Sequence, residues 1–115
     1  MAAEDFAARR RFPRIAAQHS VLLKRLGDEM EGFAQTKTIA AGGCSVISSE
    51  RMGVGSTLEL LIAAEGDVIT ARGSVVYENE TRDGRFDVGV EFRDLSEGDA
   101  ARIQQVLESP REEGD

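Results

Sequence analysis

The sequence predicts a mainly β protein, a six-stranded antiparallel β-barrel followed by one C-terminal α-helix. Three observations carry this expectation. From Ser20 to about Arg93, short apolar runs are separated by glycines and acids, the spacing of strands and tight turns. FDVGVEF (86–92) alternates with period two, setting Phe86, Val88, Val90 and Phe92 inward and Asp87, Gly89 and Glu91 outward. Beyond Leu95 the apolar spacing becomes helical. A chain of 115 residues makes one domain with one core, and six closely spaced antiparallel strands close most simply into a barrel.

In chain order, residues 3–11 are rich in Ala and Arg and suit a short helix, which Pro13 ends by forcing residue 12 towards extended structure. VLLKRL (21–26), GFAQTKTI (32–39) and GGCSVIS (42–48) are strands. STLELLIA (56–63) follows a turn at Gly53–Gly55 and places Leu58, Leu60 and Ile62 on one face. DVITARGSVVYEN (67–79) is long enough to need a bend or bulge, expected at Gly73. Asp83-Gly84 marks the hairpin turn before FDVGVEF. Ser96 is an N-cap with Asp99 at the third helical position, so residues 96–108 form a helix with Ala100, Ile103, Val106 and Leu107 on its buried face. Leu95 is placed to staple onto Ala100, and Ser109-Pro110 ends the helix ahead of a polar tail.

Charge is distributed unevenly. RRRFPR (9–14) gives residues 1–14 four arginines against Glu4 and Asp5, a net of +2. The other 101 residues hold ten basic side chains against nineteen acids, a net of −9 in a chain whose total is −7. Such a surface repels nucleic acid, yet it leaves room for a small anionic ligand at the arginines. The start of the chain has acids and no apolar run, unlike a signal peptide, and no stretch reaches the roughly 18–20 apolar residues of a membrane span. A lone Cys44 makes no internal disulfide, which points to the cytoplasm, and with His19 alone it makes no metal site. Cys44 reads as a small buried strand residue, Gly42-Gly43 as a turn or bulge, Tyr77 as core packing, and Glu78, Glu80, Asp83 and Asp87 as acids that solvate the hairpin. His19 has no catalytic partner and the serines lack an activating setting, so no enzyme is expected.

An extended RRRFPR, a strand, TIAAGGCSVI, a hairpin and GRFDVGVEFRDLSEGDAARI together resemble a PilZ domain, over about Arg9 to Leu107. The resemblance implies a bacterial six-stranded barrel with a C-terminal helix that receives the second messenger cyclic di-GMP. It divides the chain into a flexible N-terminal arm (1–8), a PilZ-like domain (9–108) and a disordered acidic tail (109–115). The family site pairs an Arg-x-x-x-Arg segment at the barrel entrance with an Asp/Asn-x-Ser-x-x-Gly segment on an early strand. Arg10 and Arg14 fall on the paired arginines, with Arg9 beside them. A guanidinium grips phosphate oxygens or the O6/N7 edge of guanine through two parallel bonds and stacks on a base.

The second segment departs from the pattern. Aligned on Gly43, Thr38 stands for the carboxylate or amide and Ala40 for the serine; aligned on Gly42, Lys37 and Ile39 fit worse. One hydroxyl cannot match the paired acceptor that Asp offers to guanine N1–H and N2–H₂. Each lost polar contact is worth about 1–3 kcal/mol, so the two weaken binding by roughly a few tens of fold to several thousand fold. The resemblance therefore implies a non-catalytic module that binds cyclic di-GMP weakly through Arg10 and Arg14, folds its arginine segment over the ligand, and shows a changed surface to a protein partner. The alternative is a PilZ-like adaptor that no longer binds the nucleotide and works by protein contact alone. It needs no cofactor, metal, nucleic acid or membrane insertion.

Overall fold

The computed structural model describes residues 15–16 and 18–108. The expected helix at 3–11, the arm and the tail lie outside the described residues, as do Arg9, Arg10 and Arg14. The described strands are β1 (Ile15–Ala16), β2 (Ser20–Arg25), β3 (Glu31–Ala40), β4 (Gly43–Ser48), β5 (Thr57–Ala64), β6 (Asp67–Glu80) and β7 (Phe86–Asp94). One helix, α1 (Glu97–Glu108), follows them.

Strands β3-β2-β5-β6-β7-β4 pair antiparallel in that order, and β4 returns to β3 to close a six-stranded barrel. This is the expected architecture, with one strand added. The two-residue β1 pairs Ile15 with Ile39 and Ala16 with Thr38, continuing along the β3 edge whose residues 31–35 β2 covers. Two residues carry no periodicity, which is why the sequence does not announce this strand.

Alternation builds the core. Leu58, Leu60 and Ile62 of β5 are fully buried, with Leu23, Val46 and Val88 from neighbouring strands. On β7, Val88 and Val90 are buried as expected, whereas Phe86 and Phe92 are only partly covered and lie against the edge of the cluster. The irregularity expected at Gly73 is real, but its extra residue is Arg93 of β7: Arg72 pairs with Asp94 and Gly73 with Phe92. A second one skips Val76, between the Val75–Val90 and Tyr77–Gly89 pairs.

The helix begins where its cap predicts. Asp99 N donates to Ser96 Oγ at 3.0 Å, and Ser96 Oγ donates to Asp99 Oδ2 at 2.8 Å. Ile103 and Val106 are buried and Leu107 partly so, but Ala100 is exposed. Leu95, expected to staple onto Ala100, is partly buried against the barrel core. Arg102 Nε donates to Asp67 Oδ2 at 2.7 Å, and Asp99 Oδ1 accepts the Thr70 N–H at 3.1 Å, fixing the helix to the start of β6.

Replacing Leu60 by Ala should cost about 2–5 kcal/mol, because a fully buried side chain leaves a cavity. Ser96→Ala should cost about 0.5–2 kcal/mol through the lost cap. Urea unfolding of the two variants should show this order.

Candidate functional site

Strand β3 reaches the candidate site through a bulge. Thr36 pairs with Val46 and Thr38 with Ser45, so Lys37 is the extra residue. Past the bulge, Ile39 is fully buried, and the half-buried Thr38 and Ala40 flank it on the outer face. A turn at Ala41-Gly42 then leads into Gly43, the first residue of β4. A Cβ at Gly43 would fall on the Val90 carbonyl oxygen, so this position excludes side chains for a packing reason. The glycine pair is thus a turn followed by a point of close approach, in line with the expected turn.

A polar chain crosses the outer face from β3 to β7. The Thr38 and Ser45 hydroxyls are 2.8 Å apart and share a hydrogen bond. Ser45, only 2% exposed, pairs with Gly89, which in turn pairs with Tyr77. The Tyr77 ring lies where a Cβ on Gly89 would be, and its hydroxyl meets both Ser45 and Asp87 Oδ1, the latter at 3.4 Å. Lys37 Nζ donates to Asp87 Oδ2 at 2.5 Å, linking the bulge back to β7. Burial first, and the Asp87 charge second, push the Tyr77 phenol up from its ordinary value, so it remains a proton donor at neutral pH. Tyr77 is therefore not core packing but a lid over a bare glycine; the signal was Gly89 itself, interrupting a run of side chains on the strand.

The hairpin acids divide. Asp83 binds Thr81 and Arg85 within the turn, as an exposed hairpin acid should. Glu78 does not solvate anything: its side chain is 4% exposed and accepts the Met52 N–H at 2.6 Å and the Gly53 N–H at 3.1 Å. It holds the β4–β5 connection and seats the fully buried Met52 in the core. Cys44 is buried in that core, and burial pushes its thiol up to about 12.

Among the sequence-predicted site residues, the fold gathers Thr38, Ala40 and Gly43 at one end of β3 and the start of β4. Ile15, the residue after Arg14 in the chain, pairs with Ile39 between Thr38 and Ala40. Among the described residues no three His, Cys, Asp or Glu side chains converge as metal ligands, and no helix is long and apolar enough to cross a membrane.

A barrel of this topology, with a polar outer face at the end of β3, defines a PilZ-type architecture. The family model described as PilZ domain matches residues 8–109, and the chain belongs to that family. The PilZ domain of YcgR from Escherichia coli, solved with c-di-GMP, superposes with a TM-score of 0.74 at 15% identity, covering 92% of this chain and 94% of that one. The Bacillus subtilis inhibitor of motility MotI/DgrA gives 0.72 at 20% identity, covering 86% and 49%. The K. pneumonia MrkH–c-di-GMP complex gives 0.67 at 22% identity, covering 86% and 51%. This chain thus spans about half the length of the last two proteins. No curated protein matches.

Gly43→Ala should destabilise the barrel far more than Ala41→Gly, since a side chain at 43 must displace the β7 backbone; thermal unfolding compares them. Cys44 should resist a thiol reagent at pH 7.5 until denaturant unfolds the barrel, a time course that mass spectrometry follows.

Proposed function

We propose that this chain is a non-catalytic cytoplasmic signalling module that binds cyclic di-GMP weakly and relays its presence to a protein partner. Arg10 and Arg14, with Arg9 beside them, grip the phosphates and a guanine edge; Thr38, Ala40 and Gly43 line the opposing wall. Family membership supports this reading, as do the YcgR PilZ domain and MrkH structures, both solved with c-di-GMP. The observation that carries it is the pairing of β1. Ile15 and Ala16 pair with Ile39 and Thr38, so the two residues that follow Arg14 in the chain lie beside the strand that bears the second motif. With a formal charge of −9, the chain beyond residue 14 discourages nucleic acid.

One observation favours the adaptor reading instead. The Thr38 hydroxyl is already engaged by Ser45, and Ala40 has no polar side-chain atom to offer a ligand. On that reading the barrel meets its partner without nucleotide.

Calorimetric titration with cyclic di-GMP decides between them. The wild type should bind, more weakly as salt rises, because the surviving contacts are largely to phosphate. Arg10→Ala or Arg14→Ala should abolish detectable binding. Thr38→Asp with Ala40→Ser should tighten it by about 1–3 kcal/mol per recovered contact. If neither the wild type nor the double variant binds while both stay folded, the adaptor reading replaces the receptor.

A further inference from the structure

We propose that Asp87 supplies the guanine-reading carboxylate that position 38 lacks, an inference that rests on the cyclic di-GMP reading of this face. Guanine presents two adjacent donors, N1–H and N2–H₂, which a carboxylate accepts together through its two oxygens. Neither Thr38 nor Ala40 can do so.

Asp87 has the required placement. It lies on β7 between Phe86 and the fully buried Val88, so it projects from the outer face that Gly89 and Ser45 share. It is bound to Lys37, the chain neighbour of Thr38, across a separation of 50 residues. Lys37 reaches it because the β3 bulge inserts this residue out of register and turns its side chain towards β7. Between the carboxylate and the Ala40–Gly43 end of β3 lie Gly89, over which the Tyr77 ring folds, and the buried Ser45. Tyr77 stands beside the carboxylate with a half-buried ring.

The carboxylate is also held in a usable state. Lys37 takes one site on Oδ2, and the Tyr77 hydroxyl one site on Oδ1. A carboxylate offers about four lone-pair sites, so one on each oxygen remains for two parallel N–H donors. The side chain keeps 22% exposure, enough for a ligand edge to reach it. Lys37 adds a second effect. Its ammonium compensates the Asp87 charge, which lowers the repulsion that a bare carboxylate would exert on a ligand with two phosphates. A base with an acceptor at N1, as in adenine, meets the carboxylate with two facing acceptors and is rejected.

Asp87→Asn tests the idea, since it preserves size and one acceptor while presenting an amide donor to guanine N1–H. Affinities for cyclic di-GMP and cyclic di-AMP are measured on the wild type and the variant by calorimetry. The wild type should prefer cyclic di-GMP, and the variant should lose about 10- to 100-fold of that affinity, with the preference collapsing. A carboxylate that acted only by its charge gives the opposite sign: its removal would tighten both ligands, and that result overturns the proposal. So does unchanged affinity with unchanged preference, which leaves the cyclic di-GMP reading intact. A wild type that binds no cyclic di-GMP overturns both. If the variant fails to fold, carbon-13 shifts of the wild-type Asp87 carboxylate decide: a ligand-induced change supports the assignment, and none overturns it.

Discussion

Closure of the barrel depends on β4, a six-residue strand that hydrogen-bonds to β3 on one edge and β7 on the other. Its register is fixed twice over. Cys44, Val46 and Ser48 point into the core, and a slip of one residue would exchange them for Ser45 and Ile47. At its first residue the β7 backbone comes so close that only glycine fits. The mismatch between β3 and β4 then has to be absorbed in β3, and the bulge at Lys37 absorbs it. One tightly constrained strand thereby determines which β3 side chains face out beyond residue 36.

The chemistry of the outer face follows from that displacement. Without the extra residue, Thr38 would continue the inward set of Ala34 and Thr36, and Ile39 would lie outside. The bulge reverses this, burying Ile39 and exposing Thr38 and Ala40 beside Ser45. It also sends Lys37 across β4 to Asp87, so that β3 and β7, which do not pair, are tied by an ion pair over the strand between them. Partly exposed pairs of this kind add little stability. What the pair does is hold two side chains of opposite charge in fixed positions on the outer face.

Much of this was legible in advance, for identifiable reasons. The strands with clean alternation, the Ser96 cap and the Asp83-Gly84 turn were readable because each depends on local sequence. The exposed Ala100, the buried Glu78 and the lid-like Tyr77 were not, because each is set by a distant partner: Leu95 meets the core, Glu78 meets the backbone of residues 52 and 53, and Tyr77 meets Gly89 across a bulge. The β3 bulge left no trace either, since Thr36-Lys37-Thr38 reads as ordinary strand. For the candidate site, the three second-motif positions were readable by alignment, whereas Asp87 could be associated with them only through the register of three strands.

Those three positions do not carry equal functional information. Gly43 is demanded by the Val90 carbonyl whether or not any nucleotide binds, so its presence says nothing about a ligand. Thr38 and Ala40 face outward and lie outside the hydrophobic core cluster. What occupies them reflects what the face must contact. Thr38 has turned its hydroxyl to Ser45 and joined a network ending in a carboxylate on β7. A hydroxyl spent on holding Ser45 and Tyr77 in place makes physical sense when the acceptor has moved from β3 to Asp87. On a face relieved of nucleotide altogether, nothing requires Lys37 and Tyr77 to fix that carboxylate from both oxygens while leaving its edge open to solvent.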